Sequence, residues 1–159
     1  MLILAMTASL LFYSCEVKIK AGETEKIRNG IELNAKGLQV KQAFLLHSDG
    51  TLIPDDNKVN VGEDVKLRLI ISGWKEYNGF VFPGAAEKIA ASDGAVLLDE
   101  PDLFVNYDNI GVSAKDAEYI TLTATITKVD KLYDYFLVSF RVWDKKGAGE
   151  ITGSYKLHL

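Results

Sequence analysis

Ile120-Thr121-Leu122-Thr123-Ala124-Thr125-Ile126-Thr127 alternates without a break. Ile120, Leu122, Ala124 and Ile126 fall on one side and the threonines on the other, which is the period of two of an extended chain. Threonine is β-branched and suits a strand even where it faces water. The stretch predicts a strand with one buried and one wet face, and such half-polar strands belong to antiparallel sheets.

Neighbouring segments repeat the pattern. Phe136, Val138, Phe140 and Val142 share a face, the glycine-containing turn Asp144–Gly149 follows, and Ile151, Tyr155, Leu157 and Leu159 share a face of the last strand. Upstream, Val65, Leu67, Leu69 and Ile71 line one side of a further strand. The run Leu38–Leu46 ends in Ser48-Asp49-Gly50, and its return arm Thr51-Leu52-Ile53 is stopped by Pro54. Glu87–Ala91 has the length of two helical turns, but Ser92-Asp93-Gly94 and the apolar run Ala95–Leu98 follow at once, so strand, turn and strand are predicted, ending at Pro101. Asp-Gly between apolar runs favours a hairpin because glycine accepts positive φ without strain. About seven short strands and no long helix predict an all-β chain in which two antiparallel sheets bury their apolar faces.

Composition narrows the function classes. A chain that is 48% hydrophobic and 25% charged is not disordered over most of its length. Its 18 basic and 22 acidic residues give a net charge of −4, which offers no electrostatic footprint for nucleic acid. The two histidines, His47 at a hairpin end and His158 on the last strand, do not make a zinc site or a nucleophilic triad. Neither a phosphate-binding glycine loop nor a GxSxG elbow is present. Carboxylates gather at Asp55-Asp56, at Glu63-Asp64, and at Asp99, Glu100 and Asp102 without the spaced pattern of a calcium loop, and read as solvated turn residues. The chain is therefore expected to be non-enzymatic and to need no cofactor or metal.

The N-terminus speaks to location. Leu2–Phe12 is apolar, Ser14 is small, and the chain's one cysteine follows as Cys15. This resembles a bacterial lipoprotein signal, and Leu11-Phe12-Tyr13-Ser14-Cys15 resembles the relaxed lipobox of Bacteroidota. The resemblance implies that residues 1–14 are a signal peptide and that the Cys15 thiol is acylated by a palmitate-type chain. The protein is then held on a membrane of the cell envelope. The run is too short to span a bilayer, which takes about 20 apolar residues. Residues 15–36 are expected to be anchor and tether, with Ile27, Ile31 and Leu33 as an alternative first edge strand, and residues 37–159 to be the domain. In strand count and spacing that domain resembles the immunoglobulin-like sandwiches, without their disulfide. The resemblance is architectural and implies no function.

Binding candidates come from aromatic placement. Gly73–Gly84 packs Trp74, Tyr77, Phe80 and Phe82 into a glycine-bounded segment, and Trp143 shares with Tyr135 and Leu137 the strand face opposite Phe140. Tryptophan and tyrosine stack on sugars and anchor protein partners. In the alternative, Trp74 plugs the sandwich end and crossing loops cover Trp143. Tyr133 or Tyr135 is a candidate corner tyrosine tying a crossover loop. Trp74, Tyr77 and Trp143 are the expected binding residues of an envelope module that contacts another protein or, alternatively, a glycan.

Overall fold

The computed structural model describes residues 17–19 and 27–159. The expected signal peptide, Cys15 and most of the expected tether lie outside the described residues. The strands in chain order are β1 (Val17–Ile19), β2 (Glu32–Lys36), β3 (Gln39–Leu46), β4 (Asp64–Ser72), β5 (Phe80–Val81), β6 (Pro83–Ala91), β7 (Val96–Glu100), β8 (Val112–Ser113), β9 (Tyr119–Thr125), β10 (Phe136–Asp144) and β11 (Glu150–Leu157). A six-stranded sheet runs β1-β2-β11-β10-β6-β7, a three-stranded sheet runs β3-β4-β9, and β5 pairs with β8. All the paired strands are antiparallel.

The two larger sheets share one core. Val65, Leu67, Leu69 and Ile71 of β4 and Ile120, Leu122 and Ala124 of β9 meet Ile89, Phe136, Val138, Phe140, Val142, Ile151 and Leu157 of the other sheet in a single buried cluster. The fold is all-β and sandwich-like, not a closed barrel. The strands expected from alternation are β3, β4, β6, β7, β9, β10 and β11. The Ser92–Gly94 segment turns the β6–β7 hairpin as predicted, with Gly94 at φ 90°.

The structure takes up the alternative that Ile27, Ile31 and Leu33 join the packing, corrects the expectations for Leu159 and for the return arm, and adds a bulge. The packed chain starts before Gly37: Ile27, Ile31 and Leu33 are buried, and β2 pairs with β11. An isolated apolar residue in a charged stretch hides its role until a partner strand reaches it. Leu159 was expected to share the buried face of the last strand, but β11 ends at Leu157 and Leu159 is exposed. The return arm Thr51–Ile53 is reduced to one bridge, Leu46 to Leu52, because Pro54 cuts it short. Within β3, Val40 pairs with Ile71 while Gln42 pairs with Ile70, so Lys41 is an extra, bulged residue. The bulge moves burial from Leu38 to the opposite parity, Ala43 and Leu45.

One end of the sandwich is closed by two buried asparagines, Asn29 and Asn57, both at positive φ (59° and 52°). The Asn29 side-chain amide donates to the Ile53 and Pro54 carbonyls and to Asn57 Oδ1, and its oxygen accepts the Leu45 N–H. The Asn57 amide donates to the Asn29 and Lys156 carbonyls. Across the crossover between the sheets, Tyr133 donates its hydroxyl to Asp130 at 2.6 Å and packs edge-on against Phe136.

Phe140 lies mid-strand in β10, almost fully buried, with its ring 6.4 Å from that of Tyr155. Phe140→Ala is expected to cost about 3–5 kcal/mol, as truncations of buried aromatics do. Urea denaturation followed by circular dichroism checks this, and an unmoved midpoint would refute the assignment of the inward face.

Candidate functional site

Residues 101–118 cross from β7, at the edge of the six-stranded sheet, to β9 in the other sheet. Asp102 fixes the start of this connection. Its Oδ1 accepts the Phe104 and Ala85 N–H groups, its Oδ2 lies 2.5 Å from Lys145 Nζ, and the Leu103 N–H reaches the Ala85 carbonyl at 2.6 Å. Partial burial works against the charge on Asp102, but hydrogen bonds from Lys145, Phe104 and Ala85 outweigh it and hold its carboxyl below the usual range. The same contest, won by Asp102 and Asp108, raises Lys145. Lys145 also pairs with Asp108, so one ammonium ties both ends of the segment 102–108 to the β10–β11 turn.

Further along, the turn Asp116–Glu118 is held from two sides. Ser113 donates its hydroxyl to Asp116 Oδ2 at 2.7 Å and accepts the Asp116 N–H. From behind, Trp74 donates its indole N–H to the Ala117 carbonyl at 3.0 Å. The β5–β8 pair flanks this turn. A tight turn at Asn78-Gly79, with φ of 52° and 81°, leads into β5, and Tyr77 and Phe80 exchange both backbone hydrogen bonds across it. Two successive positive φ values define the hairpin turn for which Asn-Gly is the favoured sequence.

These elements leave a groove of about 520 Å³ beside β9. Phe104, Tyr107 and Tyr119 give it aromatic walls, and Ser113, Asp116 and Thr121 add polar groups. Tyr107 is 41% exposed and Tyr119 52%, so both rings are free to be covered. Phe104 and Tyr107 pack edge to face at 79°, so together they offer no flat platform. The same connection leaves Leu103, Val105 and Ile110 exposed. Among the described residues β9 pairs only with β4, so its other edge has no strand partner. Asp116 is the one carboxylate on the groove wall, and it is already engaged by Ser113.

The expected binding residues are not brought together. Trp74 packs against the core and supports the groove from behind. Tyr77 is half covered. Its hydroxyl donates to the Lys146 carbonyl, Lys75 and Lys146 lie over its ring, and Phe82 packs at its edge. Trp143 lies on the outer face of the six-stranded sheet, where a methyl group at Gly84 would intrude on its indole and Arg141 stacks 4.6 Å from its ring. Its cover on that face includes a cross-strand glycine and a neighbouring guanidinium. The groove residues escaped the sequence reading because Leu103-Phe104-Val105-Asn106-Tyr107-Asp108-Asn109-Ile110 has no period. Its signal was the number of large apolar residues in an otherwise Asn/Asp-rich connection.

Most of the remaining polar candidates have structural partners. His47 is bonded to Glu63, which also accepts the Asn60 N–H and joins two loops. His158 bonds the Asp134 carbonyl. Asp55 pairs with Arg28, Asp56 with Lys58 and Asp99 with Lys88.

Trp143→Ala is expected to cost about 1–2 kcal/mol, less than a core aromatic, since an exposed cation–π pair contributes roughly 0.5–1 kcal/mol and the ring is only half covered. A urea melt is the check, and a loss as large as that of Phe140→Ala would place the ring in the core.

No protein-family model matches the sequence, and a search of curated proteins finds no match. Among solved structures the chain is similar to the crystal structure of the C-terminal domain of wzt, at 15% identity and a TM-score of 0.47, over 90% of this chain and 77% of that one.

Proposed function

We propose that the protein is a lipid-anchored, non-enzymatic module of the cell envelope, with an immunoglobulin-like sandwich that grips a partner protein in the groove beside β9. The observation that carries the reading is an aromatic groove next to a strand edge with no strand partner among the described residues. A strand edge offers unpaired backbone groups to an extended segment, and a neighbouring pocket takes its side chains. Exposed Tyr107 and Tyr119 supply large contact area at small entropic cost. The strand order supports the immunoglobulin-like reading: β10 is flanked by β11 and β6 with β7 beyond, and β4 pairs with β9 in the facing sheet.

A glycan is the second reading, favoured by Ser113, Asp116 and Thr121 beside the tyrosines. The near-perpendicular Phe104 and Tyr107 rings favour a protein side chain over a flat sugar face. Anchoring rests on the apolar run that ends in Ser14-Cys15.

Tyr107→Ala with Tyr119→Ala is expected to abolish capture of a partner from envelope extract by the acylated protein, with a change of under about 1 kcal/mol in stability, because both rings are exposed. Capture that survives the double change would remove the groove from the interface, and glycan-array binding lost in the same variant would shift the assignment to sugar.

Cys15→Ala is expected to release the protein from the membrane fraction. Intact-mass measurement of the envelope-bound protein should show the added acyl chains, and an unmodified thiol there would rule out the anchor.

A further inference from the structure

Glu87 lies on the inner face of β6, in the row with Ala85, Ile89 and Ala91. It is 2% exposed, and neither carboxyl oxygen has a hydrogen-bond partner. In register it stands between Phe140 of β10 and Glu100 of β7. Glu100 is exposed. The inner faces of β4, β9 and β10 around the core are apolar, and no lysine, arginine or histidine is buried among the described residues. The titratable groups facing Glu87 are Tyr155 of β11, whose hydroxyl is likewise buried and unpartnered, and, across a cleft of about 200 Å³, Lys88, Asp99, Glu100 and Arg141, of which Lys88 pairs with Asp99 and Arg141 with Glu150. Burial first, and then the charge of Glu87, raises the Tyr155 hydroxyl well above its ordinary range.

A carboxylate in such a place has lost its water and gained no cation, so the neutral acid is the form the fold accepts. Desolvation raises Glu87 from an ordinary carboxyl to about 7. Two residues away, Ala85 holds the groove wall: its N–H reaches Asp102, and its carbonyl accepts the Leu103 N–H. We propose that Glu87 is a proton-operated latch, which keeps β6, β7 and the 102–107 wall closed while protonated and loosens them when rising pH ionises it. That the loosening also weakens the hold on a partner rests on the groove reading above; the latch itself does not.

The sign follows from linkage. The folded value lies above that of the unfolded chain, so the stabilising contribution is complete below the unfolded value, near 4.5. It is lost as pH rises through about 7. Two measurements without any partner test the latch. Carbon-13 NMR of the Glu87 carboxyl in the unaltered protein should titrate with a midpoint near 7, and a midpoint in the ordinary carboxyl range would overturn the proposal. Hydrogen exchange, corrected for the intrinsic rate, should show opening of residues 83–104 about tenfold or more greater at pH 8 than at pH 5.5. Glu87→Gln should flatten that dependence, and an equal dependence in both proteins would also overturn it. Because neither readout involves binding, failure of the groove assignment leaves both results unchanged.

Discussion

The reciprocal hydrogen bonds of Asn29 and Asn57 are the constraint on which the architecture depends. Cys15 is the chain's only cysteine, so nothing covalent cross-links residues 27–159. The two sheets must be aligned by packing and buried polar contacts. The asparagine pair joins the entry to β2, the loop before β4, the Leu45 amide of β3 and the Lys156 carbonyl of β11, so a single knot spans both sheets. Its six hydrogen bonds leave no side-chain amide of the pair unpartnered. A buried network is favourable only when satisfied in this way, because each unmade bond there costs the full desolvation of its group. Positive φ at both residues suits asparagine, which tolerates the left-handed region better than other side chains.

The opposite end relies on charge. Buried Asp144 accepts the Lys75 and Lys146 N–H groups and so locks the β10–β11 turn to the segment after β4. Lys145, next in sequence, carries the lock outward to Asp102 and Asp108. The aromatic groove depends on this arrangement, since the wall that bears Phe104 and Tyr107 has no extended ladder of its own. Partial burial sets the desolvation of these groups against their pairing, so their effect here is to select one course for the connection. Glu87 breaks the pattern of satisfied polar groups at both ends, which is why its protonation state matters to the fold.

Much of the fold was legible in the alternation. The parity of Ile120, Leu122 and Ala124, of Val65 to Ile71, and of Phe136 to Val142 sent the correct faces inward, because a strand leaves no other choice once one face is buried. The turn at Ser92–Gly94 was legible for the same local reason. Less of the site was legible. Trp74 was singled out as a binding residue, yet its N–H is engaged by Ala117 and its ring packs on the core. Tyr119 stood at the head of the clearest strand and was overlooked, because its exposure depends on a connection that has no period. Glu87 was hidden within a strand whose parity put it inside, a position its charge argues against.

The sequence by itself determined the class of structure, the inward residues of the long strands and the positions of the main turns, since these follow from backbone geometry and side-chain alternation within a few residues. Tertiary structure decided the rest: that residues 27–36 join the domain, that β9 pairs only with β4 among the described residues, that Phe104, Tyr107 and Tyr119 converge while Trp74, Tyr77 and Trp143 do not, and that Glu87 has no ion-pair partner among the described residues. Each of these depends on which distant segments become neighbours, and that is set by how two sheets close over a common core, not by any local preference of the chain.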